Sequence, residues 1–181
     1  MVDFLEGFTK RRKITVSHAN IDANLTHFPL PIFLSGSAGT GNQDVTDIFD
    51  EIGADYGKSV VTLSDGVTPI PAEADTWDAF GEIAVLWVSA SDFVLAGSSD
   101  TDLYIYYDAA YAGTAYIAGP GSQHSVWDSA TRSRWGLGQI PVPYANAMID
   151  STSYNHHGAC HSLNSDDVAA GLIGNGIACG T

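Results

Sequence analysis

The two strongest strand patterns of the chain lie in residues 79–108, AFGEIAVLWVSASDFVLAGSSDTDLYIYYD. Over residues 82–90, apolar side chains occupy both alternating sets of positions, which predicts a strand covered on both faces. Over residues 102–107, apolar positions alternate with polar or tyrosine positions, which predicts a buried face and a wetter face carrying Tyr104 and Tyr106. We expect these two strands to form a central pair that recruits the rest.

Shorter alternating runs predict further strands before and after this pair. Pro29 and Pro31 place their strand at the edge of a sheet, because proline cannot donate a ladder hydrogen bond. One amphipathic helix is predicted over residues 44–53, with Asp44 as its N-cap and Gly53 as its end. The predicted strands cover residues 12–16, 28–35, 59–63, 68–76 and 132–137, with weaker patterns at 158–163 and 172–178.

The composition favours a β-rich globular protein. The 181 residues are 45% apolar and include 19 glycines, which suits one domain with a sizeable core. No apolar run reaches the ~18 residues of a membrane span. We predict a mainly-β fold, an antiparallel, jelly-roll-like β-sandwich with one short helix. The sandwich is predicted to cover residues 1–128, followed by an extended C-terminal tail over residues 129–181.

The charge balance is strongly acidic, with 21 Asp and Glu against 7 Lys and Arg and a net charge of −14. Such a surface repels nucleic acid and anionic membranes, so neither is expected as a partner. Four of the seven bases form one run at residues 10–13. This run either flanks the first strand or anchors an acidic partner, such as another copy of the same chain.

No residue pattern typical of an active site is present. The spacing of Gly36, Gly39 and Gly41 departs from a dinucleotide fingerprint, and the following chain lacks alternating helices. No Walker lysine and no G-x-S-x-G motif occur. Carboxylate pairs such as Glu73 and Glu82 are expected by chance in so acidic a chain. We therefore predict a protein that is not an enzyme and that carries no cofactor.

One acidic turn contains residues of the type that bind calcium. Asp100 and Asp102 could supply oxygen ligands to a structural Ca²⁺, which takes 6–8 of them. The glycine and terminal glutamate of a complete calcium loop are missing. The alternative is that both carboxylates are solvated turn residues.

A second cluster, near the C-terminus, combines histidine and cysteine. Its spacing does not match the closely spaced ligand pairs of common zinc sites. In an oxidising setting we predict a disulfide between Cys160 and Cys179, which would close a loop of about 20 residues and stabilise by roughly 3 kcal/mol. Two unpaired thiols packed as small apolar groups are the alternative. The cluster consists of His156, His157, Cys160, His161 and Cys179.

The aromatic residues suggest one candidate binding surface. Tyr104 and Tyr106, together with Trp77, Trp127 and Trp135, could form a platform that stacks on sugar rings. Alternatively, the tryptophans belong to the core and the tyrosines line an outer face. Tyr104 and Tyr106 are thus the candidate ligand-binding residues.

Four separated motifs, in order, resemble a domain of unknown function that often precedes concanavalin A-like (laminin-G-like) lectin domains. They are FTKRRKITVSHANIDANLTHFPLPIFL, LSDGVTPIPAEADTWD, AVLWVSA and SDTDLYIYYDAA, within residues 8–128. Asn24 stands where that family usually has Asp, and Asp108 stands where it has Gly. The family occurs in secreted and surface proteins of bacteria and archaea and in phage tail or virion proteins. The resemblance implies no catalytic residues.

The tail resembles the first segments of the lectin-like domain that normally follows. The similar stretches are DSTSYNHHGAC and GLIGNGIACGT, with departures at Leu172, Ala178 and Cys179. Because the chain stops there, the resemblance transfers no sugar or metal site.

These observations together predict a non-enzymatic structural or adhesion module of a phage virion, of the capsid-decoration or tail-fibre type. It would assemble through its β-edges and C-terminal tail, as a homo-oligomer or with other virion proteins. The alternative is a carbohydrate-binding module that recognises a surface glycan. The opening residues lack the apolar region of a secretory signal, so we expect a virion or extracellular location.

Overall fold

The computed structural model describes residues 4–122, 124–137, 139–143, 146–170 and 175–178. Within these ranges the secondary structure is mostly β-strand. The strands are β1 (Lys10–Val16), β2 (Leu25–Thr26), β3 (Leu30–Leu34), β4 (Ser59–Thr62), β5 (Pro69–Ile70), β6 (Ala72–Asp78), β7 (Ile83–Val88), β8 (Val94–Leu95), β9 (Thr101–Tyr107), β10 (Ile117–Ala118), β11 (Val168–Ala170) and β12 (Asn175–Ile177). The helices are α1 (Asp47–Ile52) and short 3₁₀ turns at His18–Asn20, Tyr56–Lys58, His124–Val126 and Ser165–Asp167.

Two four-stranded sheets form a sandwich. One sheet has the order β1-β9-β4-β5 and the other has the order β10-β6-β7-β3. Neighbouring strands are antiparallel, apart from the parallel pair of β10 and β6. The predicted mainly-β sandwich is confirmed, and the jelly-roll-like connectivity stays a prediction. β3 is an edge strand, as its prolines predict.

The hydrophobic core lies between the two sheets. Leu86 of β7 packs in the same buried cluster as Leu103 and Ile105 of β9, which belong to the opposite sheet. Helix α1 adds Ile48 and Phe49 to this cluster. The alternating pattern of each strand therefore turns its apolar positions toward one shared interior.

The predicted helix is confirmed, but it begins later than its sequence pattern indicates. Thr46 is the N-cap, and the Asp44 carboxylate instead accepts hydrogen bonds from the Thr46 amide (3.0 Å) and hydroxyl (2.7 Å). Asp44 therefore forms a turn before the helix. Gly53 ends the helix with a φ of 56°, a conformation that favours glycine.

The expected central pair is wrong: β7 and β9 lie in different sheets. β9 pairs with β1 and β4, whereas β7 pairs with β3 and β6. The physical reason is that the alternating pattern specifies which face of a strand is buried. It does not specify which other strand lies next to it in the sheet.

The strand predicted over residues 68–76 is split at Pro71. The part before it is β5, in one sheet, and the part after it is β6, in the other. Proline removes the ladder donor at the point where the chain changes sheets. The strand predicted over residues 132–137 is also wrong, since only Trp135 makes a bridge there, to Asp150.

The described part of the C-terminal tail is held by isolated bridges and one hairpin. Met148 bridges to Gly158, and Cys160 bridges to Pro143. β11 and β12 pair antiparallel with each other. Over Asn175–Ile177, the weak strand pattern predicted at 172–178 thus has a partner inside the chain. No helix in the described ranges is long and apolar enough to cross a bilayer.

Candidate functional site

Tyr106 does not lie on a wetter face, contrary to the sequence-based prediction. Its side chain is 0% exposed. The hydroxyl donates to the Gly66 carbonyl at 2.8 Å and accepts from Nη1 of Arg11 at 2.6 Å. The rings of Phe4 and Phe8 lie 5.1 and 5.5 Å from the Tyr106 ring. An N-terminal segment therefore covers this face, and Tyr106 has no open ring on which a sugar could stack.

Tyr104 is half-buried, two positions earlier on β9. The guanidinium carbon of Arg11 lies 4.5 Å from the centre of its ring, a cation–π arrangement. The predicted pair of stacking tyrosines is therefore not an open platform. The fault in the prediction is that strand alternation cannot show what a preceding segment of chain covers.

Removing the Tyr106 hydroxyl should destabilise the fold. We expect Tyr106→Phe to lower the free energy of unfolding by about 1–2 kcal/mol, because the buried Gly66 carbonyl loses its donor. Tyr104→Phe, the matched control on the same strand, should change it by less than about 0.5 kcal/mol. Urea unfolding of both variants measures the difference. Equal losses of unfolding free energy in the two variants would show that the buried hydrogen bond of the Tyr106 hydroxyl does not stabilise the fold.

The tryptophans divide between core and surface. Trp77 is partly buried against the core, and its indole N–H donates to the Gly53 carbonyl at 2.8 Å. Trp87 and Trp127 lie 5.6 Å apart, ring centre to ring centre. Trp135 is 44% exposed, with its indole N–H bonded to the His156 carbonyl at 2.9 Å. Of these indoles, that of Trp135 offers the most open surface for stacking.

A buried ionic cluster joins the tail to the sandwich. Nη1 of Arg134 lies 2.9 Å from Oε1 of Glu73, and Nη2 lies 2.6 Å from Oδ2 of Asp75. Trp87 and Trp127 flank the guanidinium, with ring centres 5.5 and 5.3 Å from its carbon. Arg134 is thus held by charge and by two aromatic rings, in a fork geometry that lysine could not reproduce.

Glu73 is the central group of this cluster and is 0% exposed. Besides Arg134, it accepts hydrogen bonds from the Ser151 hydroxyl (2.8 Å) and the Trp127 indole (3.2 Å). Burial raises the pKa of Glu73, and the hydrogen bonds from Ser151 and Trp127 partly oppose this shift. Both carboxylate oxygens are occupied by protein donors, so the arrangement suits a structural clamp better than an acid catalyst.

Gly136 lies close beside this clamp. A Cβ at this position would collide with the Asp75 carboxylate and the Arg134 guanidinium. A larger residue at position 136 would therefore force the two side chains of the ion pair to move. The sequence signal for this cluster is Glu73 in the stretch LSDGVTPIPAEADTWD, whose arginine partner only the fold identifies.

Asp150 organises the turn that follows. Its buried carboxylate accepts from the backbone amides of Arg134 (2.9 Å), Thr152 (3.0 Å) and His156 (2.8 Å), and from the Thr152 hydroxyl (3.0 Å). Burial alone would raise the pKa of Asp150, but these hydrogen bonds hold it below its ordinary value. The Asp-Ser-Thr sequence is a turn signal that could have identified this residue.

The histidine and cysteine cluster is partly used for hydrogen bonding. Nδ1 of His157 accepts from the Asp150 amide at 3.0 Å, and Nδ1 of His156 lies 3.2 Å from the Ser133 hydroxyl. Cys160 is buried. Cys179 lies outside the described residues, so the disulfide with Cys160 stays a prediction.

Both candidate calcium ligands in the acidic turn already contact other side chains of the protein. Asp100 lies 2.7 Å from Nδ1 of His18, and Asp102 accepts from the Thr15 hydroxyl at 2.7 Å. Among the residues that the structure describes, no group of three or more His, Cys, Asp or Glu is placed to hold a metal ion. A calcium ion at Asp100 and Asp102 stays a prediction.

The basic run forms the first part of β1, and its charged side chains interact with other residues of the same chain. Lys10 pairs with Glu51, Arg12 with Asp47, and Lys13 with Asp102. Arg11 packs against aromatic rings. Of the two alternatives for this run, the contacts favour a flanking role in β1 over an anchor for an acidic partner.

The tail carries a strip of exposed apolar side chains. Trp135, Leu137, Ile140 and Val142 are 44%, 43%, 64% and 53% exposed, within eight residues of sequence. No Asp or Glu occurs anywhere between residues 128 and 150, although the chain contains 21 of them. We call these four residues the apolar strip. Clustered exposure of this kind is typical of surfaces that contact another protein.

The chain has no match among protein-family models, curated proteins or solved structures.

Proposed function

We propose that the chain is a non-enzymatic structural or adhesion module of a phage particle, which associates with copies of itself through the apolar strip. The exposure of four large apolar side chains in one short segment carries this proposal. Their burial between subunits would remove apolar surface from water, which is the main favourable term in protein association. The setting in a particle rests on the sequence resemblance and on the absence of an active-site pattern.

The charge of the chain supports a second copy as the partner. At a net charge of −14, two copies repel one another over most of their surfaces. The stretch between Asp128 and Asp150 is free of acids and contains Arg132, whereas the charge of Arg134 is already paired with Glu73 and Asp75. Contact through this segment brings together the part of each copy where like-charge repulsion is weakest. A twofold interface, in which the same strip meets itself, satisfies both constraints.

The clamp at Arg134 supports the same assignment. It fixes the residue directly before Trp135 to two carboxylates of β6. The start of the apolar strip is therefore attached to the rigid sandwich. A pre-ordered surface loses less conformational entropy on binding than a free segment does.

A charge placed in the strip should dissociate the assembly. We expect Ile140→Asp to weaken self-association by about tenfold or more, because a carboxylate would be buried without a partner. Phe80→Asp is the matched control, since Phe80 is 100% exposed and lies in the turn before β7. It should leave the association unchanged. Light scattering over a concentration series measures both variants.

Two outcomes would contradict the proposal. A wild-type chain that stays monomeric at every concentration would exclude self-association in solution. Equal weakening by Ile140→Asp and Phe80→Asp would show that added negative charge acts without regard to position.

Carbohydrate binding is the second candidate, and the open indole of Trp135 favours it. Tyr154 and His156 stack beside it, with ring centres 5.7 Å apart and ring planes 20° apart. Exposed aromatic faces are suited to stacking on sugar rings. Glycan-array binding that is lost in Trp135→Ala and retained in Ile140→Asp would favour this role over self-association.

A further inference from the structure

Arg132 is an exposed arginine with no carboxylate within ion-pair distance in the described part of the chain. Its Nη1 bonds the Tyr154 hydroxyl at 3.1 Å, and its guanidinium carbon lies 5.1 Å from the centre of the Tyr154 ring. Arg134, by contrast, is held by Glu73 and Asp75. In a protein with 21 acids, an arginine without an acidic partner can receive a ligand of negative charge.

The protein itself holds the Arg132 guanidinium in place. The Tyr154 hydroxyl that accepts from Arg132 donates in turn to the Ser129 carbonyl at 2.8 Å. The Ser151 amide donates to the Arg134 carbonyl at 2.9 Å, which joins the segment that carries Arg132 to the turn that leads to Tyr154. A pre-ordered arginine loses less conformational entropy when a ligand binds.

One side of this guanidinium suits a carboxylate. Arginine binds carboxylates best through two parallel N–H···O bonds. The bond to Tyr154 uses Nη1, and no hydrogen bond within the described residues involves Nε or Nη2 of Arg132. Nε and Nη2 form one side of the fork, so they can donate together to both oxygens of one carboxylate.

The chain around Arg132 is poor in negative charge. Residues 129–165 contain one acid, Asp150. Its buried carboxylate already accepts four hydrogen bonds from the protein, three of them from backbone amides. Asp128, the acid directly before this range, accepts from the Thr131 amide and hydroxyl. An anionic ligand therefore meets less repulsion here than over the rest of this acidic protein.

Aromatic side chains lie beside Arg132. The ring of Tyr154 stacks on that of His156, and the exposed indole of Trp135 bonds the His156 carbonyl at 2.9 Å. Sugar rings pack on aromatic faces, and their polar substituents bond charged or polar groups. An arginine with a side open to a carboxylate, next to exposed aromatics, suits a sugar that carries a carboxylate, because one molecule then satisfies both.

We propose that this surface binds an acidic sugar, a uronic or sialic acid. The sugar carboxylate accepts from Nε and Nη2 of Arg132, and the sugar ring packs against Trp135, Tyr154 and His156. The inference rests on the carbohydrate-binding role described above as the second candidate, and it names the class of sugar. A second copy of this acidic chain is the other anion that Arg132 would attract, and the experiments below separate the two.

Calorimetric titration of the full chain tests the proposal with two pairs of probes. Trigalacturonate and sialyllactose are each compared with their own methyl ester, which removes the negative charge and keeps the sugar. We expect at least one acid to bind at least about fivefold more tightly than its ester. The acid that binds identifies uronic or sialic acid as the source of the carboxylate.

The outcomes distinguish this inference from the role on which it rests. Equal binding of each acid and its ester would overturn the contact with Arg132 and leave carbohydrate binding intact. Absence of binding to all four probes would overturn this inference. A glycan array that also shows no binding would overturn the carbohydrate-binding role as well.

Substitutions of Arg132 locate the carboxylate. Arg132→Gln should reduce the affinity for the acidic probe to that of its ester and leave the affinity for the ester unchanged. Arg132→Lys keeps the charge without the paired donors, so it should restore only part of the loss. Lys13→Gln is the matched control, because it removes one exposed positive charge from the sandwich, and it should change neither affinity. A folded Arg132→Gln variant with wild-type affinity for the acid would overturn the site.

Light scattering separates the acidic sugar from a second copy. Arg132→Gln should self-associate within about twofold of the wild type, because an exposed charge contributes little to association. Weakened self-association of Arg132→Gln, together with no binding of the acidic probes, would overturn the proposal in favour of an acidic surface on a second copy.

Discussion

Arg134→Met should lower the free energy of unfolding by about 3–5 kcal/mol at neutral pH, the cost of leaving one partner of a buried ion pair alone. Glu73 would remain 0% exposed, with its charge opposed only by the Ser151 and Trp127 donors. Arg132→Met is the matched control, since Arg132 bonds the Tyr154 hydroxyl at 3.1 Å on the surface. It should cost less than about 1 kcal/mol. Urea unfolding measures both.

The size of this loss should depend on pH. Burial raises the pKa of Glu73 above its ordinary value of 4.5, so the stabilisation gained by protonating it is complete below pH 4.5. That stabilisation disappears as the pH rises through the higher folded-state pKa. Without Arg134 the carboxylate is less stabilised, which raises its pKa further. The difference in free energy of unfolding between Arg134→Met and wild type should therefore be smaller at about pH 4 than at about pH 8.

A double substitution separates the ion pair from simple packing. Glu73→Gln combined with Arg134→Met removes both charges, so it should recover part of the stability that Arg134→Met loses. A deficit that is the same at both pH values, with no recovery in the double variant, would show that the arginine acts only by filling space between Trp87 and Trp127.

Asp150→Asn should lower the free energy of unfolding by about 2–4 kcal/mol. The carboxylate accepts four hydrogen bonds, three of them from backbone amides. An asparagine side chain has one acceptor oxygen, and its NH₂ group would face backbone N–H donors without an acceptor. Asp128→Asn is the matched control, because Asp128 bonds the Thr131 amide and hydroxyl in a less buried turn. It should cost less than about 1 kcal/mol.

The pH dependence of the Asp150 contribution has the opposite sign from that of Glu73. The folded-state pKa of Asp150 is below its ordinary value of 3.8. The contribution of Asp150 to folding stability is therefore present above pH 3.8, and it is lost as the pH falls through the folded-state pKa. The difference in free energy of unfolding between Asp150→Asn and wild type should become smaller in strong acid. Hydrogen exchange at the Thr152 and His156 amides should accelerate in the variant, and unchanged exchange would contradict the assignment.

Local chemistry explains why much of the sandwich could be predicted. The alternation in β1, β7 and β9 identifies each as a strand, since the side-chain period of a strand is two. The amphipathic spacing of α1 identifies the helix. The prolines near β3 identify an edge, because a missing N–H is tolerated there. Each of these signals lies within a few residues of the feature that it predicts.

The covering of β9 could not be predicted in the same way. The alternating pattern predicts that Tyr106 lies on a wetter face, yet Phe4, Phe8 and Arg11 bury it. Burial of a residue on the outer face depends on the path of another segment, and no local pattern reports that path.

The amino-acid sequence by itself determined the β-rich class, the positions of β1, β7 and β9, the short helix and the acidic charge balance. The tertiary structure alone decided which strands are neighbours and which charges meet. Glu73 contacts Arg134 and Ser151 across 61 and 78 residues. β1 and β3 likewise become edge strands of opposite sheets only when the two sheets assemble. Local propensity acts over a few residues, whereas these contacts depend on how the whole chain is packed.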